Sequence, residues 1–318
     1  MNNSDNLYLL SFLSTNYEAL KEHWSKYSVL KTSGKRGSDR PFAGDLGGSI
    51  CIVDLNIKQV IWEMNIDSPS GIYFDNGIVY VNSINLGKIF VIDAAKKLVI
   101  KEINNPYFNK PHSLTKTKRG FLVSSTGLDS IVEIDPVGNT LYKILLTENG
   151  YPTDQFGNLR IIDKQLNHQR IVYPSLNQTT HVNYARYIDE AENLIAATLF
   201  HPGEVILIDK TTNNIKVLLK GLNHPHCVKP TDGDSLLICD SDNNRVLEVD
   251  KNEFKIIREI GGPYSWVQDA IYNENQILIA DADHNRIVSL DRNTLTELDS
   301  YKFTDSNRIY EILPITKF

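Results

Sequence analysis

Along this chain, short runs rich in Val, Ile, Leu and Tyr are separated by clusters of Gly, Asn and Asp. Apolar runs of this length bounded by turn residues predict strands and hairpins rather than helices. The pattern itself recurs at a spacing of about 40 residues, the signature of a repeat architecture. Five copies stand out, at 70–103, 111–145, 183–219, 225–260 and 267–303. Each reads as a four-strand meander whose third strand ends on an aspartate: Asp93, Asp135, Asp209, Asp250 and Asp291. The short carboxylate of each is expected to cap the turn that follows.

The two ends of the chain supply a sixth unit. Segments 7–13, 49–55 and 59–64 read as its second, third and fourth strands, and 308–315 as its first. Pairing both termini in one blade leaves no free sheet edge. The predicted fold is therefore all-β, a single six-bladed β-propeller over residues 1–318 closed by its N- and C-terminal strands. Two segments exceed the period, 14–48 and 146–180. The first contains an amphipathic helix at 16–27 followed by a basic, glycine-rich loop. Both insertions fall in loops on the same face of a propeller, so they are expected to cap one mouth of the central channel, where ligands bind.

Composition narrows the functional classes. The chain has 318 residues, 41% hydrophobic and 23% charged, enough for a large core. Net charge is −6 and no basic block occurs, which argues against nucleic acid or an anionic membrane as partner. No apolar run is long enough to span a bilayer, and the N-terminus lacks a basic leader region. Three cysteines, Cys51, Cys227 and Cys239, make no disulfide framework, so a cytoplasmic location is expected.

DSDNNRVLEVD (240–250) and DADHNRIVSLD (281–291) resemble the NHL-repeat signature, as do the Pro-His pairs at 111–112 and 225–226. The layout is similar to the propellers of peptidylglycine α-hydroxyglycine lyase, strictosidine-synthase-like proteins and streptogramin lyase. That superfamily also includes gluconolactonases and pure protein- or RNA-binding modules, so the resemblance implies a fold and leaves enzyme and binder open.

All eight histidines map to the capped face. His23 and His168 lie in the insertions, His112, His181, His224 and His226 where first strands begin, and His201 and His284 in loops between second and third strands. Aligning the units places His112, His226, Gln268 and Ser70 in register at the channel mouth. In the fourth unit either His181 or Asn183 is the equivalent residue. Three neutral imidazoles, His112, His181 and His226, suit a divalent metal, zinc first, with iron, copper and nickel the alternatives. The lyase resemblance implies the same for His112 and His226, since that enzyme carries zinc histidines on inner loops.

His201 and Asp269 are the candidates for moving protons. Ser70, Asn183, Tyr184, Arg186 and Gln268 are the candidates for binding substrate. Tyr184, Phe200, Tyr264 and Trp266 form an aromatic rim, and Trp24 is expected to pack under the insertions. No nucleophile elbow, phosphate loop or dinucleotide fingerprint occurs. The sequence thus reads as a metal-assisted lyase, cyclase or hydrolase acting on a small polar molecule. The alternative is a non-catalytic propeller binding a peptide, glycan or protein on its capped face.

Overall fold

A computed structural model describes residues 6–27 and 46–315. Its strands form six four-stranded antiparallel sheets arranged as the blades of a propeller. Blade 1 joins β1 (Leu7–Ser14), β2 (Ser49–Asp54) and β3 (Gln59–Asn65) to the last strand, β24 (Arg308–Ile315). Blade 2 is β4 (Pro69–Asp75), β5 (Ile78–Ser83), β6 (Lys88–Asp93) and β7 (Leu98–Asn104). Blade 3 is β8 (Pro111–Lys116), β9 (Phe121–Ser125), β10 (Ser130–Ile134) and β11 (Thr140–Leu145). Blade 4 is β12 (Val182–Tyr187), β13 (Leu194–Leu199), β14 (Glu204–Asp209) and β15 (Asn214–Lys220). Blade 5 is β16 (Pro225–Pro230), β17 (Ser235–Asp240), β18 (Arg245–Asp250) and β19 (Ile256–Gly261). Blade 6 is β20 (Val267–Asn273), β21 (Gln276–Asp281), β22 (Arg286–Asp291) and β23 (Glu297–Lys302). In blade 1, β24 pairs with β1, Leu9 opposite Leu313 and Leu10 opposite Ile312.

The recurring aspartates cap turns. Asp93 accepts from the Lys96 amide, Asp135 from Val137, Gly138 and Asn139, and Asp209 from Thr211. Asp250 takes the amides of Asn252 and Glu253, and Asp291 those of Asn293 and Thr294. Side-chain donors, from Lys96 to Asp93, Asn139 to Asp135 and Thr211 to Asp209, act with these amides to favour the ionised carboxylate and hold all five below the usual range.

The apolar core lies between neighbouring blades. Ile89, Ile103, Phe121 and Val123 close the seam of blades 2 and 3, and Ile131, Ala185, Ile195 and Ile206 that of blades 3 and 4. Polar latches supplement these seams near the axis. Side chains on second strands donate to first-strand carbonyls of the next blade: Ser11 to Ser70, Asn82 to Ser113, Ser124 to Asn183 and Thr198 to His226. Such carbonyls are available because each first strand begins with a register shift, for instance between Pro225 and Val228. A bulge of this kind re-aims the side chain it carries.

The channel is closed by charge. Lys229 of blade 5 lies 2.6 Å from Asp269 of blade 6 and 3.1 Å from Glu311 of blade 1. Tyr184 of blade 4 donates to Glu311 at 3.0 Å, and the Ile72 amide of blade 2 donates to its other oxygen at 2.9 Å. Asp269 also accepts from the Ile312 amide at 2.8 Å. The two carboxylates keep Lys229 well above its ordinary value despite its burial, so it stays an ammonium. One cation facing two buried carboxylates leaves an excess of negative charge, and burial pushes Glu311 up.

Of the two insertions, the first shows helix α1 (Tyr17–Tyr27); the Trp24 side chain and the segment from 28 to 45, which holds most of the basic loop, lie outside the described residues. The second, 146–180, is tied down by Asp129, whose carboxylate accepts the amides of Thr179, Thr180 and His181 and pairs with Arg160. No helix among the described residues is long and apolar enough to cross a membrane.

If the charge closure holds the blades together, Lys229→Met should leave two carboxylates buried side by side. It is expected to destabilise the fold by about 3–5 kcal/mol. Adding Asp269→Asn should recover part of that loss, because the two sites share one network. Urea denaturation of the single and double variants measures both effects; additive losses would contradict the closure.

Candidate functional site

The register shifts decide which residues face the axis. The second position of the innermost strand falls inside the bulge in blades 2 to 6, at Ser70, His112, Asn183, His226 and Gln268, and the third position, Tyr310, does so in blade 1. Asn183 is thus the equivalent of His112 and His226. His181 belongs to a second ring two residues earlier, with Ser68, Lys110, His224 and Trp266, all at positive φ between 44° and 60°. That left-handed step turns the chain from the blade-to-blade loop into the strand.

The histidines nevertheless gather. Ring centroids of His112 and His181 are 5.2 Å apart, and those of His181 and His201 are also 5.2 Å apart. Phe200 stands among them, 4.8 Å from His181, 4.2 Å from His224 and 5.7 Å from His226. Trp266 continues the collar 5.4 Å from His226, and Tyr310 lies 6.0 Å from His112. The loop after β13 is held in place by backbone bonds from Phe200 to His181 and from His201 to Thr180. Asp129, by fixing the His181 amide, sets one side of the collar.

Each key imidazole is anchored through Nδ1. His112 bonds the Lys110 carbonyl at 2.8 Å. His226 bonds the His224 carbonyl at 3.0 Å and Ser241 Oγ at 2.8 Å, and His181 bonds Gln178 Oε1. A proton on Nδ1 leaves the Nε2 lone pair open in all three. His201 is turned the other way, its Nε2 3.0 Å from the Ser175 carbonyl and 3.3 Å from Gln155. Burial lowers every one of these imidazoles: His112 and His201 to about 4, His181 and His226 well below the ordinary value. Mutual repulsion adds to burial for His181 and His226. These four imidazoles are uncharged at neutral pH.

Lys110 is the group here whose charge lies closest to neutrality. Burial first, and then the nearby Arg160, push it down to about 8. Its Nζ reaches the Tyr173 carbonyl at 3.2 Å and pairs with no carboxylate among the described residues. His23, carried over by α1, feels the same ammonium. Arg308, by contrast, is paired with Asp283 and bonded to Tyr17 of α1.

The remaining residues singled out in the sequence divide by depth. Gln268 lies in the collar, accepting from Trp266 Nε1 at 2.9 Å. Ser70 is fully buried and donates to the Pro111 carbonyl, and Asn183 donates to the Pro225 carbonyl, so both link blades. Tyr184 and Asp269 sit below the collar in the charge closure, around a void of about 10 Å³, room for one water. Asp269 is thus engaged by Lys229 rather than set beside His201. Arg186 is farther still along β12 and opens on a separate pocket. Cys227 packs against Cys239 with 3.1 Å between sulfurs, and burial pushes the Cys239 thiol up. His168 bonds Tyr173 within its insertion, and His284 pairs with Asp281.

A metal demands closer convergence than this. Among the described residues, no group of three or more His, Cys, Asp or Glu side chains is spaced to hold an ion. Sequence reasoning missed Lys110, Asp129 and Tyr310. Counting register from the bulge, instead of by plain alternation, finds the first and the last.

No family profile and no curated protein sequence matches the chain. Solved structures match in fold. One chain of a nidogen/laminin complex superposes with a TM-score of 0.59 at 12% identity, over 96% of this chain and 97% of that one. A protein of unknown function from Bacteroides caccae gives 0.51 at 14%, over 80% and 89%. The Cps50 (Swd1) β-propeller domain of Myceliophteria thermophila gives 0.51 at 14%, over 74% and 71%. These likenesses establish the propeller and carry no function.

The depressed imidazoles couple folding to pH. In the unfolded chain they protonate near 6.5, whereas folded His112 and His201 wait until about 4. Between those values the unfolded state takes up protons that the folded state refuses. Their contribution to stability is therefore complete above about 6.5 and lost as pH falls toward 4. Urea midpoints across that range should decline, and His112→Gln should flatten the decline; an unchanged slope would contradict the buried neutral collar.

Proposed function

We propose that the histidine collar is the working site of an enzyme that takes a small polar molecule carrying negative charge. The observation that carries this reading is the convergence of five imidazoles, of which His224 pairs with Asp242, and the Lys110 ammonium, over a channel closed beneath them. Perturbed titratable groups gathered at a concave mouth are the usual mark of such a site. The Nε2 lone pairs of His112, His181 and His226 accept hydrogen bonds from hydroxyl or amide donors of the ligand. Lys110 neutralises its charge and, titrating near neutrality, is the group suited to exchange a proton. Phe200 and Trp266 contribute apolar walls. Lyase, cyclase and hydrolase chemistry all fit this equipment.

A second form of the proposal keeps the divalent metal, and requires the three imidazoles to draw closer than the structure holds them. The Nδ1 anchors are the arrangement that fixes a ligating imidazole, and His112, His181 and His226 would be the ligands through Nε2. The ion would supply Lewis acidity to a carbonyl or a bound water. The NHL-like character of 240–250 and 281–291 has a physical basis that supports this placement. Asp240 and Asp281 each accept the amide of the incoming loop and an Arg Nε, and Asn244 accepts the Trp266 amide, so the signature fixes the collar's backbone.

Two measurements test the reading. Metal analysis of protein purified without chelator distinguishes its forms: about one equivalent, lost in His181→Ala, supports the metal, and no metal supports the direct form. A thermal-shift screen of small sugars, amides and hydroxy acids should give ligands whose effect disappears in Lys110→Met and in His226→Gln. Ligands that bind these variants as well as the unaltered chain would refute the site. A screen without ligands, beside capture of a peptide or glycan by the same face, would favour the binding module.

A further inference from the structure

The pocket on which Arg186 opens lies at the other end of the inner strands, away from the histidines. It has a volume of about 360 Å³, within the range of small-molecule sites. Its walls come from the ends of β8 and β12 and the turns that follow them, with Thr115, Lys116 and Arg186 innermost. Arg186 sits two residues beyond Tyr184 on the same strand face, so the charge closure separates this pocket from the collar.

The polar groups around Arg186 are already engaged with one another. Lys116 Nζ donates to the Thr117 carbonyl at 2.6 Å, and Lys118 Nζ donates to the Glu190 carbonyl. Asp189 caps the Asn193 and Leu194 amides, and Glu192 accepts the Lys118 amide at 2.7 Å. Thr115 donates to the Ala185 carbonyl at 3.1 Å. Of the lining side chains, the exposed Glu190 carboxylate and the half-buried Arg186 are left over. Its guanidinium makes no hydrogen bond or ion pair with any described residue, and its Nε is buried without a partner. A half-buried guanidinium fork with open donors at the floor of a pocket is a receptor for a planar or tetrahedral oxyanion.

We propose that this pocket is an oxyanion site, in which Arg186 forks onto the carboxylate or phosphate of a small molecule. The closure keeps it independent of the collar, so a ligand here occupies a second site on the opposite face.

Calorimetric titration of the full chain with inorganic phosphate, and separately with succinate, tests the proposal and tells the two sources apart. At least one should bind in the millimolar range or tighter. Arg186→Gln should weaken that binding by about 10- to 100-fold, the loss of a charged pair of hydrogen bonds. Arg186→Lys, which keeps the charge and the fold but loses the fork, should fall between. In Lys110→Met, which removes the anion binding proposed for the collar, the Arg186-dependent binding event should remain, which places it away from the collar. Circular dichroism and melting establish that the variants fold. Failure of both anions to bind, or equal binding by Arg186→Gln, overturns the site; so does loss of binding in Lys110→Met with Arg186→Gln unaffected.

Discussion

Everything in this propeller turns on Lys229. A ring of blades pushes its first strands toward a common axis, where their side chains meet a cavity that must be filled or closed. Here it is closed by one ammonium shared between Asp269 and Glu311, with Tyr184 and the Ile72 amide completing Glu311. Five of the six blades contribute to that contact. Charges so deeply buried are tolerable only when every partner is present, since the desolvation cost is offset by direct pairing and by backbone donors. The network therefore does two things at once: it draws the blades together, and it seals the channel.

The seal gives the two faces separate chemistry. Above it, the bulges aim His112 and His226 into a mouth that also receives His181, His201 and His224, and burial there suppresses the protonation of His112, His181, His201 and His226. Below it, Arg186 opens on its own pocket. A through-channel would have let both ends share water, and water would have returned the imidazoles toward their ordinary values. Neutral histidines and a buried ion triad are thus two consequences of one closure.

The repeat, the six blades and the aspartate caps were legible because they depend on local chemistry: strand pattern, turn residues and a carboxylate reaching its own backbone. The collar was legible in outline, since first strands line the axis of any propeller and His112, His226 and Gln268 start theirs. Its details were not. A bulge inserts one residue, so alternation counted from the strand alone misplaces what precedes it. That is why His181 and Asn183 were interchangeable in the sequence, yet stand in different rings. The partners of Asp269 and Glu311 come from strands far apart in the chain, and no local pattern predicts such pairing. Asp129 was hidden for the same reason: it sits in a turn of blade 3 but organises the end of the second insertion.

Two half-buried cations at the ends of the inner strands have no carboxylate partner among the described residues. The chain carries 39 acidic against 33 basic residues, and several of the half-buried basic groups have found a carboxylate: Lys210 on Glu133, Arg160 on Asp129, Arg258 on Glu248, Arg286 on Asp281. Lys110 and Arg186, among others, have not. Holding a cation partly out of water without a counter-charge costs stability, and a methionine or glutamine of similar size would avoid that cost at either position. They also share a placement, one at each end of the inner strands, on opposite sides of the seal. Local rules broken without a structural return are where function resides in a folded chain. On that argument the negative charge these two sites lack would come from outside the protein, from the anions proposed to bind them.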